Sequence, residues 1–232
     1  MGRFHARSFT HALSWRVKRR GFTLIEMIVV TAIIGILSII VFVGQADFSR
    51  SLLLANTASD IALSLRNAQV YGIGSRSTGG VRNAGYGLYF ASANPASFIF
   101  FADTDPAPSM TSCHPTNKPN SPAAQPGDCA YTSALDTLVQ TFTLNNGMKI
   151  DNFCVYENTG AKYCVSEGPS LLTQMAIVFT RPNTSALIRA GTGGWFGGVW
   201  QNACIRVASP QGTTRSILVT QTGAITKTAS CP

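Results

Sequence analysis

Hydrophobic and polar positions divide the chain into three regimes. From Met27 to Ala46 none of the twenty residues carries a formal charge. As a helix rising about 1.5 Å per residue, that length spans roughly 30 Å, the depth of a bilayer's hydrocarbon core. The segment is mainly β-branched and aliphatic, which in water would favour strand; a bilayer requires each backbone group to be satisfied within its own segment, so helix wins. Gly35 falls mid-span, where it either loosens the helix or permits close packing. Beyond Asp47, Leu54, Ala58, Ile61, Leu65 and Ala68 recur at spacings of three and four, one apolar stripe of a helix continuing to about Tyr71. Asn56, Asp60, Ser64 and Asn67 mark another face. The stripe is too short for a coiled-coil stalk and is expected to pack on a sheet, with Gly72, Gly74, Gly79 and Gly80 ending the helix and opening a loop.

From Tyr86 the pattern changes to short strand-like runs separated by turn residues. Tyr86–Phe90 and Ser97–Phe101 read as a hairpin, followed by Leu138–Leu144, Lys149–Tyr156 and Lys162–Val165. Gln174–Thr180, Ala186–Arg189, Ala203–Ala208, Arg215–Gln221 and Ala224–Lys227 complete the strands. The fold class is therefore α+β: a long N-terminal hydrophobic helix packed on a C-terminal antiparallel β-sheet domain. The expected division is a leader over 1–21, the helix over 22–75 and one globular β domain over 76–232, enough for a single modest core. Asp103-Thr104-Asp105 opens like a calcium loop, but Pro106 and Pro108 replace later oxygen ligands and the needed glycine, so a strand-ending turn is expected. Gly191-Thr192-Gly193-Gly194-Trp195-Phe196-Gly197-Gly198-Val199-Trp200 admits two readings. Trp195, Phe196 and Trp200 either form a loop offering rings to a partner, a glycan or a nucleobase, or cap the core from a hairpin.

The formal net charge of +8 invites a polyanion partner until its location is considered. Arg3, Arg7, Arg16, Lys18, Arg19 and Arg20 hold six positives ahead of the apolar span with no acid among them; the remainder has 12 basic residues against all 10 acids, a net of +2. The basicity is mostly a targeting signal. Basic residues ahead of a span are retained on the cytoplasmic side, placing the C-terminal domain outside. An ordinary signal peptide has a shorter apolar region followed by a small-residue cleavage site, of which Gly44-Gln45-Ala46 is a poor version.

Gly21-Phe22-Thr23-Leu24-Ile25-Glu26, between that basic leader and the uncharged span, resembles the processing motif of type IV prepilins and type II secretion pseudopilins. In that family a membrane peptidase cuts after the glycine and methylates the new N-terminal residue, usually Phe. The resemblance implies cleavage between Gly21 and Phe22, N-methyl-Phe22 as the mature start and Glu26 as the assembly glutamate; an acid just inside an apolar helix is by default a functional hypothesis. Leu65-Arg66-Asn67-Ala68-Gln69, Val178-Phe179-Thr180-Arg181-Pro182 and Arg215-Ser216-Ile217-Leu218-Val219 with Gly223 are similar to the GspH/FimT group of minor pseudopilins. This implies a non-enzymatic subunit of a bacterial inner membrane and then of a pilus or pseudopilus. Its partners would be the prepilin peptidase, other pilin or pseudopilin subunits, membrane lipid and the inner-membrane assembly platform. Two other classes are a filament-tip module binding DNA or a surface ligand, and an exported membrane-anchored domain with a fortuitous prepilin-like start. Some FimT-like subunits bind DNA through a Gly-Arg-x-Arg stretch. Here Gly223-Ala224-Ile225-Thr226-Lys227 stands at that place with one cation, and with Arg206 and Arg215 it offers three phosphate contacts, too few for specific DNA affinity at physiological salt.

All six cysteines follow the span, and an even number in an exported domain reads as disulfides, with 15 complete pairings open. Cys154 and Cys164 approach each other if a hairpin forms across Glu157-Asn158-Thr159-Gly160. Cys113 with Cys129 would close the Pro-rich loop 103–130, leaving Cys204 with Cys231. No CxxC pair is present and His5, His11 and His114 do not cluster with the cysteines, so neither zinc nor any other metal or cofactor is expected. His114 lacks an orienting partner, and Asp136, Asp151, Glu157 and Glu167 are scattered; no catalytic set emerges.

Overall fold

The computed structural model describes residues 21–74, 78, 80–81, 84–104, 127–167, 171–181, 184–195 and 200–232, without the side chains of 43–47. One helix, α1 (Leu24–Ile73), precedes ten strands: β1 (Gly85–Ala91), β2 (Ser97–Asp103), β3 (Thr137–Thr143), β4 (Lys149–Glu157), β5 (Lys162–Cys164), β6 (Gln174–Phe179), β7 (Ala186–Gly191), β8 (Trp200–Ala208), β9 (Thr214–Thr220) and β10 (Ile225–Thr228). The α+β architecture is the expected one. The strands form two five-stranded sheets, ordered β3-β2-β1-β6-β7 and β10-β9-β8-β4-β5, and every pairing between them is antiparallel. Two compact units divide within α1, Met1–Ala46 and Asp47–Pro232.

In the second unit the outer part of α1 buries the predicted stripe: Leu54, Ala58, Ile61, Leu65 and Ala68 join one apolar cluster with inward-facing residues of both sheets, among them Leu88, Phe153, Ile177 and Ile205. Ser64 departs from the expected polar face and is buried, because its hydroxyl donates to the Asp60 carbonyl at 2.9 Å and needs no water. At the helix end Tyr71 packs against Tyr86 and Phe100, with both ring centroids at 5.6 Å. Gln69 Nε2 donates to the Thr184 and Gly223 carbonyls at 3.0 and 3.2 Å, pinning the helix both to the chain just before β7 and to the β9–β10 turn. Gly72 is required by approach: a Cβ there would lie 2.1 Å from the Phe179 carbonyl oxygen.

Strand β6 is buried on both faces, which explains why Met175-Ala176-Ile177-Val178-Phe179 reads as a continuous apolar run instead of an alternation. Met175, Ile177 and Phe179 face the main core, while Ala176 and Val178 meet a second cluster containing Phe101 and Cys129, flanked by Tyr89, Tyr131 and Trp195. Asp103 organises that outer layer. Its carboxylate is fully buried and accepts from the Asp128 and Cys129 backbone N–H groups at 3.1 and 2.7 Å, closing the return of the chain onto the sheet. Asp136 acts similarly, accepting from the Thr104 and Thr132 N–H groups. Strand β2 ends at Asp103, where a strand-ending turn was expected; the rest of that turn, from Asp105, lies outside the described residues.

Two disulfides join Cys154 to Cys164 and Cys204 to Cys231, across sequence separations of 10 and 27. The first links register partners on β4 and β5, as the Glu157–Gly160 hairpin implied. Cys129 is also disulfide-bonded; Cys113, its expected partner, lies outside the described residues.

Candidate functional site

The N-terminal end of α1 is built by a local signal additional to the processing resemblance. Thr23 and Glu26 stand three apart, the spacing of a capping box, in which a Ser or Thr side chain accepts from the N–H three residues on. Thr23 Oγ1 accepts the Glu26 backbone N–H at 3.3 Å, and the first full helical bond runs from Met27 N–H to the Thr23 carbonyl at 3.2 Å. Gly21, Phe22 and Thr23 therefore precede the helix as an exposed, non-helical lead. Nothing lies within 4 Å of a Cβ built on Gly21, and Phe22 is 77% exposed. Glu26 sits in the first turn, where the helix's N-terminal partial positive charge favours a carboxylate. Among the described residues nothing hydrogen-bonds or ion-pairs with that carboxylate.

The 19 residues from Leu24 to Phe42 form a helix long and apolar enough to cross a membrane, with no residue of it buried within the chain. Its two hydroxyl side chains are satisfied internally: Thr31 Oγ1 donates to the Met27 and Ile28 carbonyls at 3.0 Å each, and Ser38 Oγ to the Ile34 carbonyl at 2.8 Å. A helix this apolar, uncovered by any other described residue, is suited to lipid or to other helices around it. Gly35 is part of that open surface, with nothing within 4 Å of the position a Cβ would take.

The remaining candidates are dispersed. Trp200 is 4% exposed and meets Tyr163 edge to face at 5.3 Å; it is a core residue. Trp195 is half-buried against Tyr89 and lies 5.7 Å from the Arg189 guanidinium carbon, and Phe196 lies outside the described residues. Arg189 is held in place by the Asp128 carboxylate at 3.1 Å and its carbonyl at 2.6 Å. No sequence signal pairs these two residues, which are 61 positions apart. Of the three cations considered for phosphate, Arg206 is paired with Asp151 at 3.1 Å and Lys227 donates to Ser59 Oγ at 3.1 Å, while Arg215 is exposed. Among the described residues no group of three or more His, Cys, Asp or Glu side chains is arranged to hold a metal.

Residues 16–42 match the family described as the prokaryotic N-terminal methylation motif. No curated protein and no solved structure matches the chain. The motif, whose matched residues include the apolar stretch of α1 and which precedes an antiparallel β unit, supports a type IV pilin-like protein: an exported structural subunit anchored in a membrane through α1.

Proposed function

We propose that the protein is a minor subunit of a type IV pilus or type II secretion pseudopilus, of the GspH/FimT kind, made as a precursor and cut between Gly21 and Phe22. The observation that carries this reading is the methylation motif over residues 16–42, which takes in a 19-residue apolar helix that none of the described residues covers. The leader stays cytoplasmic and the Asp47–Pro232 unit faces outward. The prepilin peptidase removes residues 1–21 and methylates Phe22. The apolar part of α1 then leaves the bilayer to bundle with the helices of other subunits, in a step run by the inner-membrane assembly platform. The work done is polymerisation, not catalysis.

Glu26 has a role in that step. An acid buried alone in an apolar helix bundle costs several kcal/mol, and pairing with the Phe22 amine of a neighbouring subunit offsets the cost and sets axial register. Its carboxylate has no partner among the described residues, which leaves it available for such a pair.

Intact-mass analysis of protein recovered from membranes of its host tests the processing. A mature chain beginning at N-methyl-Phe22 is expected, and Gly21→Val is expected to leave a full-length, unmethylated precursor. A mature start near Asp47 would instead mean removal of a conventional signal peptide, and the pilin reading would fail.

A further inference from the structure

The two sheets have four outer edges, and three of them offer little to a further strand. Strands β5 and β10 are three and four residues long, and short edges are one way a sheet avoids templating a neighbour. Strand β7 is buried over nearly its whole length, and its Ala186 N–H donates to the Gln221 carbonyl at 3.0 Å, which ties it to the chain leaving β9. Strand β3 differs. It has seven residues without a charge or a proline, and among the described residues no strand pairs along its outer side. Leu138 and Val139 are 53 and 41% exposed, and Gln140, Thr141 and Thr143 are exposed as well. Proteins ordinarily blunt such an edge with Lys, Pro or a bulge; here only the bulge is used. Gln140 pairs with Phe100 and Leu138 with Phe101, so Val139 is the extra residue, and the regular ladder runs from Gln140 to the end of the strand.

The direction of that run's backbone groups follows from one bond. Leu144 N–H donates to the Ala96 carbonyl at 2.8 Å, so position 144 faces β2. Inward and outward positions alternate in an antiparallel ladder, which turns the N–H and C=O of Phe142 and Gln140 toward β2 and those of Thr143 and Thr141 away from the sheet. Phe142 itself stacks on Phe98, with ring centroids 4.9 Å apart, and packs against the main core. Beside it lies a groove of about 250 Å³ lined by Leu53, Asp60, Phe98, Phe142 and Leu144. Outward-facing backbone donors and acceptors therefore stand next to a partly apolar groove at the same edge.

We propose that the β3 edge takes an added strand from a different exported protein, an extended segment of about five residues that pairs along residues 140–144 and sends an apolar side chain into the groove beside Phe142. The edge selects its occupant. Outward N–H and C=O groups repeating every second residue are matched by an extended backbone, not by a helix, whose backbone groups are used internally, nor by a lipid. In strand addition the main-chain bonds supply affinity, and a pocket for alternate side chains supplies specificity. The choice of a different chain over a second copy rests on the minor-subunit reading above, in which copies of this protein are separated by other subunits.

The test uses the full-length protein in its host membrane, with a photo-crosslinking amino acid at Thr141. Illumination should yield one product with another exported chain, its cross-linked peptide a strand-like run with an apolar residue next to the link. Thr143→Pro removes an outward N–H and leaves the bonds to β2 in place, an edge position at which a sheet tolerates proline. It should lower the yield about tenfold, through the lost bond and the carbonyl left unpaired opposite it, whereas Thr143→Val should leave the yield unchanged. Amide exchange of the unsubstituted protein separates pairing from any folding defect of the proline variant. The Thr141 and Thr143 N–H groups should exchange slowly in host membranes and quickly in those of a heterologous host, with Gln140 and Phe142 slow in both. No product, a product with a second copy or with lipid, a yield unmoved by proline, or fast exchange at Thr141 and Thr143 in the host would each overturn the proposal. The N-terminus is read in the same samples: a correct start at Phe22 without the product defeats the strand addition alone, and an uncut chain that still gives it defeats the pilin reading alone.

Discussion

Asp103 shows how much one buried acid can set. Burial pushes its carboxyl well above the ordinary 3.8, with the neighbouring Asp136 and Asp128 charges adding to the shift and the Cys129 and Asp128 N–H groups opposing it. A carboxyl whose folded pKa exceeds its unfolded one holds an extra proton in the native state. Its contribution to stability is complete below the unfolded value and is lost as pH rises through the folded one. Asp103→Asn keeps an acceptor but cannot titrate, so the melting temperature of wild type relative to this variant should decline as pH is raised from below 3.8 to neutrality. A flat difference across that range would show that Asp103 does not carry the slope. At Glu26 the expectation is positional: Glu26→Gln should still insert and be cut after Gly21, yet reach sheared filaments in reduced amount at equal expression. Wild-type amounts there would leave the motif as a cleavage signal only. Of these two acids, only Glu26 stands out in the sequence, because its neighbours along the chain are its context. The partners of Asp103 lie 25 and 26 residues further along, beyond the reach of local pattern.

At the level of elements, periodicity was a faithful guide wherever one face is dry. The stripe Leu54, Ala58, Ile61, Leu65 and Ala68 was readable and is buried throughout. Leu65→Ala should cost about 2–5 kcal/mol, from lost transfer free energy and the cavity left behind, measurable by denaturant unfolding of the detergent-solubilised chain. Two glycines of the same helix should behave oppositely. Gly72→Ala would drive a methyl to 2.1 Å from the Phe179 carbonyl and must displace the helix end, whereas Gly35→Ala meets nothing within 4 Å and should leave the β unit's stability unchanged. The strands were readable to within a few residues from their turn chemistry. Their partition into two sheets was not, because alternation tells which residues share a face and nothing about which edge they pair with. Trp200 illustrates the limit: beside glycines and two other aromatics it looked equally like an exposed ring and a core cap, and only the pairing of β8 with β4 puts it inside.

For the whole molecule, the cysteines convert an exported chain into one with few ways to unravel. Loop closure makes the Cys204–Cys231 bond, across 27 residues, worth about 1 kcal/mol more than Cys154–Cys164, across 10. The shorter bridge also joins strands already in register. Replacing Cys204 and Cys231 together with Ser should therefore lower unfolding free energy by about 3–4 kcal/mol and more than the corresponding change at Cys154 and Cys164; the reverse order in paired denaturation curves would contradict it. Cys154 with Cys164 followed from nearness along the chain, and Cys204 with Cys231 only from what remained.

The seating of outer α1 has a mechanical side. Leu54, Ala58, Ile61, Leu65 and Ala68 lie along the helix axis, and Gln69 and Tyr71 lock its far end. A pull entering at Asp47 along that axis loads these contacts in parallel, as shear, so several must yield at once before the β unit is dragged from its helix. The same pull applied sideways would peel them one by one, beginning with Leu54. The β unit is thus held to its helix most firmly against a pull along the helix axis.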